Sequence, residues 1–302
     1  MSVTEDRQED RNVLAGSDRG GVTAVIGGLG TNLVKLMCCN VVFVIFNIPA
    51  MAAAFLLAAY ILPKMNASFM PETFVDTLVS LGIHGQTNRS NDIAGQEAAL
   101  SIYSLMMIFC VMLLVSSLLV CVGPVQAGLA KVYGSMARTG SESSVKVFLA
   151  GVKDNLKQSV PATFISIAVT FICLLAVSFY LGLGLIPLAA LFAVILVVFS
   201  LMQSIVYRIM VTSDLGLFKI YKNALFMMLL RLFPSIGMAL LNIIVLAVIP
   251  FALIMSSEIV SVGVCLFLYL FVLSSVVHYL NTAYADSLIE RYMQEGKEES
   301  DA

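Results

Sequence analysis

Six apolar stretches dominate the chain, running with little polar interruption through roughly 36–62, 99–122, 160–182, 186–210, 235–256 and 259–282. Each offers the about 20 residues a helix needs to cross a hydrocarbon core about 30 Å thick. Between them the pattern changes to helical periodicity. After Gly123-Pro124, the residues Val125, Leu129, Val132 and Met136 share a face, so the second stretch is expected to kink and continue. Gly140 ends that helix. Val145, Phe148, Leu149, Val152 and Leu156 then form a second stripe with Lys146, Lys153 and Lys157 elsewhere, and Pro161 marks the return to the bilayer. A third segment opens near Asp214, carries Lys219, Lys222 and Asn223, and runs through Arg231 to Pro234.

These patterns predict an all-α polytopic membrane protein, with six transmembrane helices and cytoplasmic amphipathic helices at 124–159 and 213–233. Such helices lie in the headgroup plane with lysines toward anionic lipid, or pack beneath the bundle and snorkel those lysines. The organisation expected is a flexible cytoplasmic segment at 1–33, a membrane domain at 34–286 with an outer loop at 63–98, and an acidic cytoplasmic tail at 287–302. In the outer loop, Pro71 and Glu72 open a short surface helix with Phe74, Leu78 and Leu81 on one face. The links around 182–184 and 256–258 are so short that the third and fourth spans, and the fifth and sixth, must form antiparallel hairpins.

Charge orients the bundle. Arg7, Arg11, Arg19 and Lys35 precede the first span, and Lys131, Arg138, Lys146, Lys153 and Lys157 lie between the second and third. Arg208, Lys219, Lys222 and Arg231 follow the fourth, and Arg291 and Lys297 follow the sixth. The opposite face has only Lys64 and Arg89, so the positive-inside rule puts both termini in the cytoplasm. Trp is absent, which leaves Tyr60, Tyr103 and Tyr180 as outer anchors and Tyr207, Tyr279 and Tyr284 as inner ones.

Composition agrees with the pattern: 60% of 302 residues are hydrophobic and 12% charged, about half the charge of a soluble domain. The net charge of −2 gives nucleic acid no basic footprint. All six cysteines sit inside apolar stretches without metal-ligand spacing and read as small hydrophobes. No P-loop, GxSxG or HExxH motif is present, so ATP hydrolysis by this chain is not expected, nor is a metal or cofactor.

The remaining chemistry is a set of polar residues near the inner ends of the spans. Asn40, Gln203, Arg208, Asn242, His278 and Asn281 fall in the cytoplasmic half and Asn47 at mid-depth. Asn47, Gln203, Arg208, Asn242, His278 and Asn281 are therefore candidates for lining a shallow, cytoplasm-open cavity. His278 and Asn281 share a helical face with Asp286 beyond them, and Arg208 is expected to pair with Asp214. The outer halves are nearly pure hydrocarbon, so a conducting path would stop halfway. Lys146, Lys153, Lys157, Lys219 and Lys222 are the candidate interface to lipid or a partner.

One resemblance adds to this. Gly123-Pro124-Val125-Gln126-Ala127-Gly128, the helix end Asp154-Asn155-Leu156-Lys157-Gln158-Ser159, Tyr207-Arg208-Ile209-Met210 before Asp214-Leu215, and Lys222-Asn223-Ala224-Leu225 before Leu232-Phe233-Pro234 occur in the order of the YesL-like family of bacterial membrane proteins (DUF624). The likeness spans roughly 34–285, with Gly123, Pro124, Asp214, Asn223 and Pro234 as its motif residues. It departs in the outer loop and extra span before Gly123, and in Leu156 after Asn155, where the family carries an aromatic. The resemblance implies a bacterial inner-membrane accessory or scaffold protein associated with carbohydrate uptake by an ABC importer, without catalysis of its own. Two alternatives stand beside it: a small-molecule transporter with a cytoplasm-open cavity, and an enzyme on lipid-linked sugar using His278, Asp286 or Asp214. Self-association is left open.

Overall fold

The computed structural model describes residues 29–66, 69–70, 73–74, 93–139, 145–255 and 259–301, and among them helices form almost everything and strands nothing. Five helical stretches are long and apolar enough to cross a membrane: Ile48–Met65, Val145–Gly182, Ile186–Thr212, Leu232–Ile254 and Val260–Tyr292. Leu33–Phe46 and Leu100–Ser116 are shorter apolar helices. The chain is an all-α, multi-pass membrane protein.

The two apolar stretches nearest the N-terminus are not continuous. The first is cut at Asn47 into α1 (Leu33–Phe46) and α2 (Ile48–Met65). Pro49 falls in the first turn of α2, where its missing N–H leaves no bond unmade. The second stretch does not kink and continue. α3 (Ile93–Ser116) stops, residues 117–122 leave helical geometry, and α4 (Gly123–Thr139) starts afresh at Gly123-Pro124.

At Pro161 the correction runs the other way. α5 (Val145–Gly182) is one helix of 38 residues with Pro161 inside it, about 57 Å along its axis. The segment predicted as a separate amphipathic helix is its first third. Neighbouring helices hold a proline-bearing helix together in such surroundings. A tight link with Gly184 in the left-handed region (φ +72°) then reverses the chain into α6 (Ile186–Thr212). The amides of Gly184 and Leu185 reach back to the carbonyls of Leu181 and Tyr180, closing the end of α5.

α7 (Leu217–Leu230) and α8 (Leu232–Ile243) follow, then a π turn (Ile244–Val248) leading into α9 (Ile249–Met255). α10 (Ile259–Leu268) passes through a second π turn (Tyr269–Leu273) into α11 (Ser274–Asp301). That last helix runs without a break across residue 286. The two π turns answer each other. Pro250 has no N–H, so the Leu246 carbonyl lacks its partner four residues on, and the Tyr269 hydroxyl donates to it instead. Around the second turn, the Asn40 amide donates to the Tyr269 carbonyl at 2.9 Å and accepts from the Ser275 N–H at 2.7 Å. One asparagine on α1 thus satisfies both sides of the widened turn.

α4 lies at the centre, packed by α1, α5, α6 and α11. Its small residues permit this: a Cβ on Gly128 would meet the Phe148 ring at 2.7 Å, and one on Gly151 would meet Gly128 Cα at 2.9 Å. α5 shows the same logic along its whole length. It buries Gly151, Asn155, Ser159, Ala162, Ser166 and Thr170 and turns Val145, Leu149 and Leu156 outward. In a bilayer the small and polar residues face protein and the large apolar ones face lipid, so Val145, Leu149 and Leu156 leave the packed face while Phe148 and Val152 of the same stripe meet Gly128. α7 is mixed, burying Ile220, Ala224, Met227 and Met228 while Phe218, Leu225, Phe226 and Leu229 stay exposed.

Tyr207 and Tyr279 are fully packed in the core, so neither serves as an interfacial anchor. Tyr60 does face outward, with the Lys64 ammonium 4.7 Å over its ring. Of the predicted outer-loop helix, Phe74 is buried edge-on against Tyr103 at 5.3 Å, while Leu78 and Leu81 lie outside the described residues.

Candidate functional site

The break between α3 and α4 is buried, with Leu118, Leu119, Val120 and Cys121 all in the interior. Backbone freed from a helix there must find partners within the protein, because hydrocarbon offers none. It finds them on three other helices. The Ser166 hydroxyl is shared between the carbonyls of Leu118 (3.0 Å) and Leu119 (2.8 Å), and Thr170 donates to Leu119 at 3.0 Å. Ser200 donates to the Ser117 carbonyl at 2.6 Å. The Gly123 N–H donates to Thr163 Oγ1 at 2.8 Å, and the Val122 N–H to Asn47 Oδ1 at 2.8 Å. Asn47 is itself the residue at which α1 ends, so the two interruptions meet.

Two backbone details make the junction specific. Leu118 has φ +61°, alone among the described non-glycine residues, a conformation that costs an L-residue about 1–2 kcal/mol. Gly123 is required by contact: a Cβ there would lie 2.1 Å from the Ser159 carbonyl oxygen.

Beside the break is a small polar cavity of about 10 Å³, lined by Leu118, Gln126, Leu129, Tyr133, Ser204, Tyr207, His278 and Thr282 among others. That is about the room for one water molecule. Its lining is not self-sufficient. His278 and Gln126 are each 4% exposed, yet both ring nitrogens of His278 and Nε2 of Gln126 are buried without a hydrogen-bond partner. Asn281 donates to Ser204 at 3.3 Å, and its Oδ1 is likewise unpartnered. At about 1.5 Å per residue, Ser204 lies roughly 27 Å from Ile186 and His278 roughly 28 Å from Ile259. Both distances approach the about 30 Å thickness of a hydrocarbon core.

Arg208 does not pair with Asp214, which is exposed six residues away. It makes a buried two-pronged contact with Asp286 on α11, Nε to Oδ1 at 2.5 Å and Nη2 to Oδ2 at 3.1 Å. Its Nη1 donates to the Ala130 carbonyl at 3.2 Å, and Gly134 leaves it room, since a Cβ there would lie 2.1 Å from Nη1. The geometry favours this partner because a carboxylate on a facing helix can accept both prongs of the guanidinium fork. Arg208 thereby ties α4, α6 and α11 together.

Of the predicted cavity residues, only His278 lines the chamber, with Asn281 at its edge through Ser204. Gln203 points to α7, where its amide and the Tyr221 hydroxyl are 3.1 Å apart; burial pushes that phenol up to about 12, the Gln203 contact opposing the rise. Asn242 stands apart on α8, half-buried with Oδ1 unpartnered. Asn47 serves the helix break. Sequence reasoning missed Gln126, Tyr133, Ser204, Tyr207 and Thr282. Gln126, a lone amide in an apolar run two residues after Pro124, was the visible signal. The five candidate interface lysines, Lys146, Lys153, Lys157, Lys219 and Lys222, are all exposed, as is Pro234, and Asn223 is half-buried. Among the described residues, no group of three or more His, Cys, Asp or Glu side chains could hold a metal ion. No family model, curated protein or solved structure matches the chain.

Proposed function

We propose that this chain is a non-catalytic accessory component of the bacterial cytoplasmic membrane, serving an ABC-type carbohydrate importer with both termini in the cytoplasm. The observation that carries the reading is the use made of the interior polar groups. Arg208, Asp286, Asn40, Asn47, Ser166, Thr170 and Ser200 fasten helices to one another, which suits a scaffold. The basic residues gathered at one end support the orientation. The carbohydrate assignment rests on the YesL-like resemblance of the motifs quoted above. Mild-detergent purification of the tagged full chain from its native membrane, with quantitative mass spectrometry, tests it. An importer permease subunit at near-equal amount is the expected result, lost when Lys146, Lys153 and Lys157 are reversed to Glu. Recovery of the chain alone overturns it.

A second reading, a small-molecule transporter, is favoured by the meeting of two interrupted helices beside unsatisfied polar side chains, an arrangement found at transporter binding sites. Solute flux into liposomes carrying only the purified chain would establish it.

A further inference from the structure

Three helices bring polar side chains to the small polar cavity: Gln126 and Tyr133 from α4, Ser204 and Tyr207 from α6, and His278 and Thr282 from α11, all buried. Some of these groups are already engaged. The Tyr133 hydroxyl is 2.7 Å from that of Ser275, the Tyr207 hydroxyl is 3.5 Å from Cys121 Sγ, and Ser204 accepts from Asn281 at 3.3 Å. The Gln126 amide nitrogen and both nitrogens of the His278 ring have no partner in the protein. An amide nitrogen only donates, whereas a neutral imidazole carries one N–H and one bare nitrogen that accepts. Gln126 therefore calls for an acceptor and the bare nitrogen of His278 for a donor. Size and charge limit what can be both. The space, about 10 Å³, is about that of one water molecule. Among the described residues no charged side chain lines it, so an ion would sit there without a counter-charge, at high cost. Arg208, which reaches the Ala130 carbonyl in the cavity wall, is already matched by Asp286. An apolar group of the same size would leave the nitrogens unbonded. Water alone donates and accepts at this size.

We propose that the cavity is a binding site for one structural water molecule, which accepts from Gln126 Nε2 and donates to the bare ring nitrogen of His278, with the hydroxyl of Ser204 or Thr282 as its third partner. Three bonds are the usual number for a buried water. The molecule gives α4, α6 and α11 a second polar tie beside the one Arg208 makes. This inference goes beyond both functional readings and needs neither.

His278 provides the readout. The chain has two histidines, His84 and His278, so a His84→Gln parent leaves one imidazole to follow by 15N solid-state NMR of the full chain in lipid bilayers. The expected spectrum shows the bare ring nitrogen at the chemical shift of a hydrogen-bonded imidazole, with magnetisation reaching the ring from water although His278 is buried. In Gln126→Met, which keeps the length of the side chain and removes its donor, the transfer from water should be lost and the nitrogen should move to the shift of an unbonded imidazole. Absence of transfer from water in the parent overturns the proposal. So does transfer that survives Gln126→Met undiminished, which would place the water elsewhere on the ring. If that variant fails to fold, the parent decides alone: a ring nitrogen bonded to a protein group, without contact to water, overturns the site, and one bonded to water upholds it.

Discussion

Two buried polar regions lie side by side in this protein and are built on opposite principles. At the α3–α4 break, four carbonyl and amide groups of residues 117–119 and 122 meet Ser200, Ser166, Thr170 and Asn47 at hydrogen-bonding distance. A few residues away, His278, Gln126 and Asn281 present nitrogen and oxygen atoms to which nothing in the protein responds. A buried polar group left unmade costs about 1–3 kcal/mol. The first region therefore spends its polar side chains on holding helices, while these atoms of the second hold none.

Mutations should separate the two. The largest effect belongs to the buried Arg208–Asp286 ion pair. Arg208→Met removes the two-pronged contact of a buried carboxylate, with an expected loss of about 3–5 kcal/mol, seen as a sharp drop in thermal stability by size-exclusion in detergent. Arg208→Met with Asp286→Leu should recover most of it. If the double variant is as poor as the single one, the pair does more than tie helices. Next comes the break itself. Ser166→Ala strips the shared donor from two carbonyls and should cost about 1–3 kcal/mol. Tyr269→Phe, which frees only the Leu246 carbonyl, should cost less, about 0.6 kcal/mol and at most about 1.7. Smallest, and of opposite sign, is the cavity: Gln126→Met with His278→Leu should be neutral or slightly stabilising, because it removes two partners of one water together and strands neither. A loss as large as that of Ser166→Ala would show that the chamber holds helices as firmly as the break does.

The apolar stretches made the class of fold legible, since hydropathy over about 20 residues reports burial in lipid directly. The short Gly182–Gly184 link made the hairpin legible too. The break at 117–122 was not. Ser117-Leu118-Leu119-Val120-Cys121-Val122 is as apolar as any helix around it, and its cause lies in hydroxyls on α5 and α6 that no local pattern connects to it. Arg208 was misassigned for a related reason. Asp214 is six residues away in sequence and Asp286 seventy-eight, and only the packing of α6 against α11 decides between them. Along α5, the stripe of Val145, Phe148, Leu149, Val152 and Leu156 is split between the α4 contact and the outward side. The stripe of Gly151, Asn155, Ser159, Ser166 and Thr170 was the informative one. Asn47 was recognised as unusual in depth, but a lone asparagine does not say that it ends a helix and accepts the amide of Val122.

The break also sets a timetable for biogenesis. The side chains that receive Leu118 and Leu119 are made 47 to 51 residues later, and Ser200, which receives Ser117, 83 residues later. At about 5–20 residues per second, the ribosome needs from about 2 to about 17 seconds to supply them. During that interval the end of α3 cannot be released into lipid without stranding its carbonyls, so it must stay beside water or the insertion machinery until α5 and α6 arrive. A nascent chain halted once residues up to Thr139 have emerged from the ribosome should remain crosslinkable to that machinery through residues 117–122. One halted once residues up to Thr212 have emerged should let go.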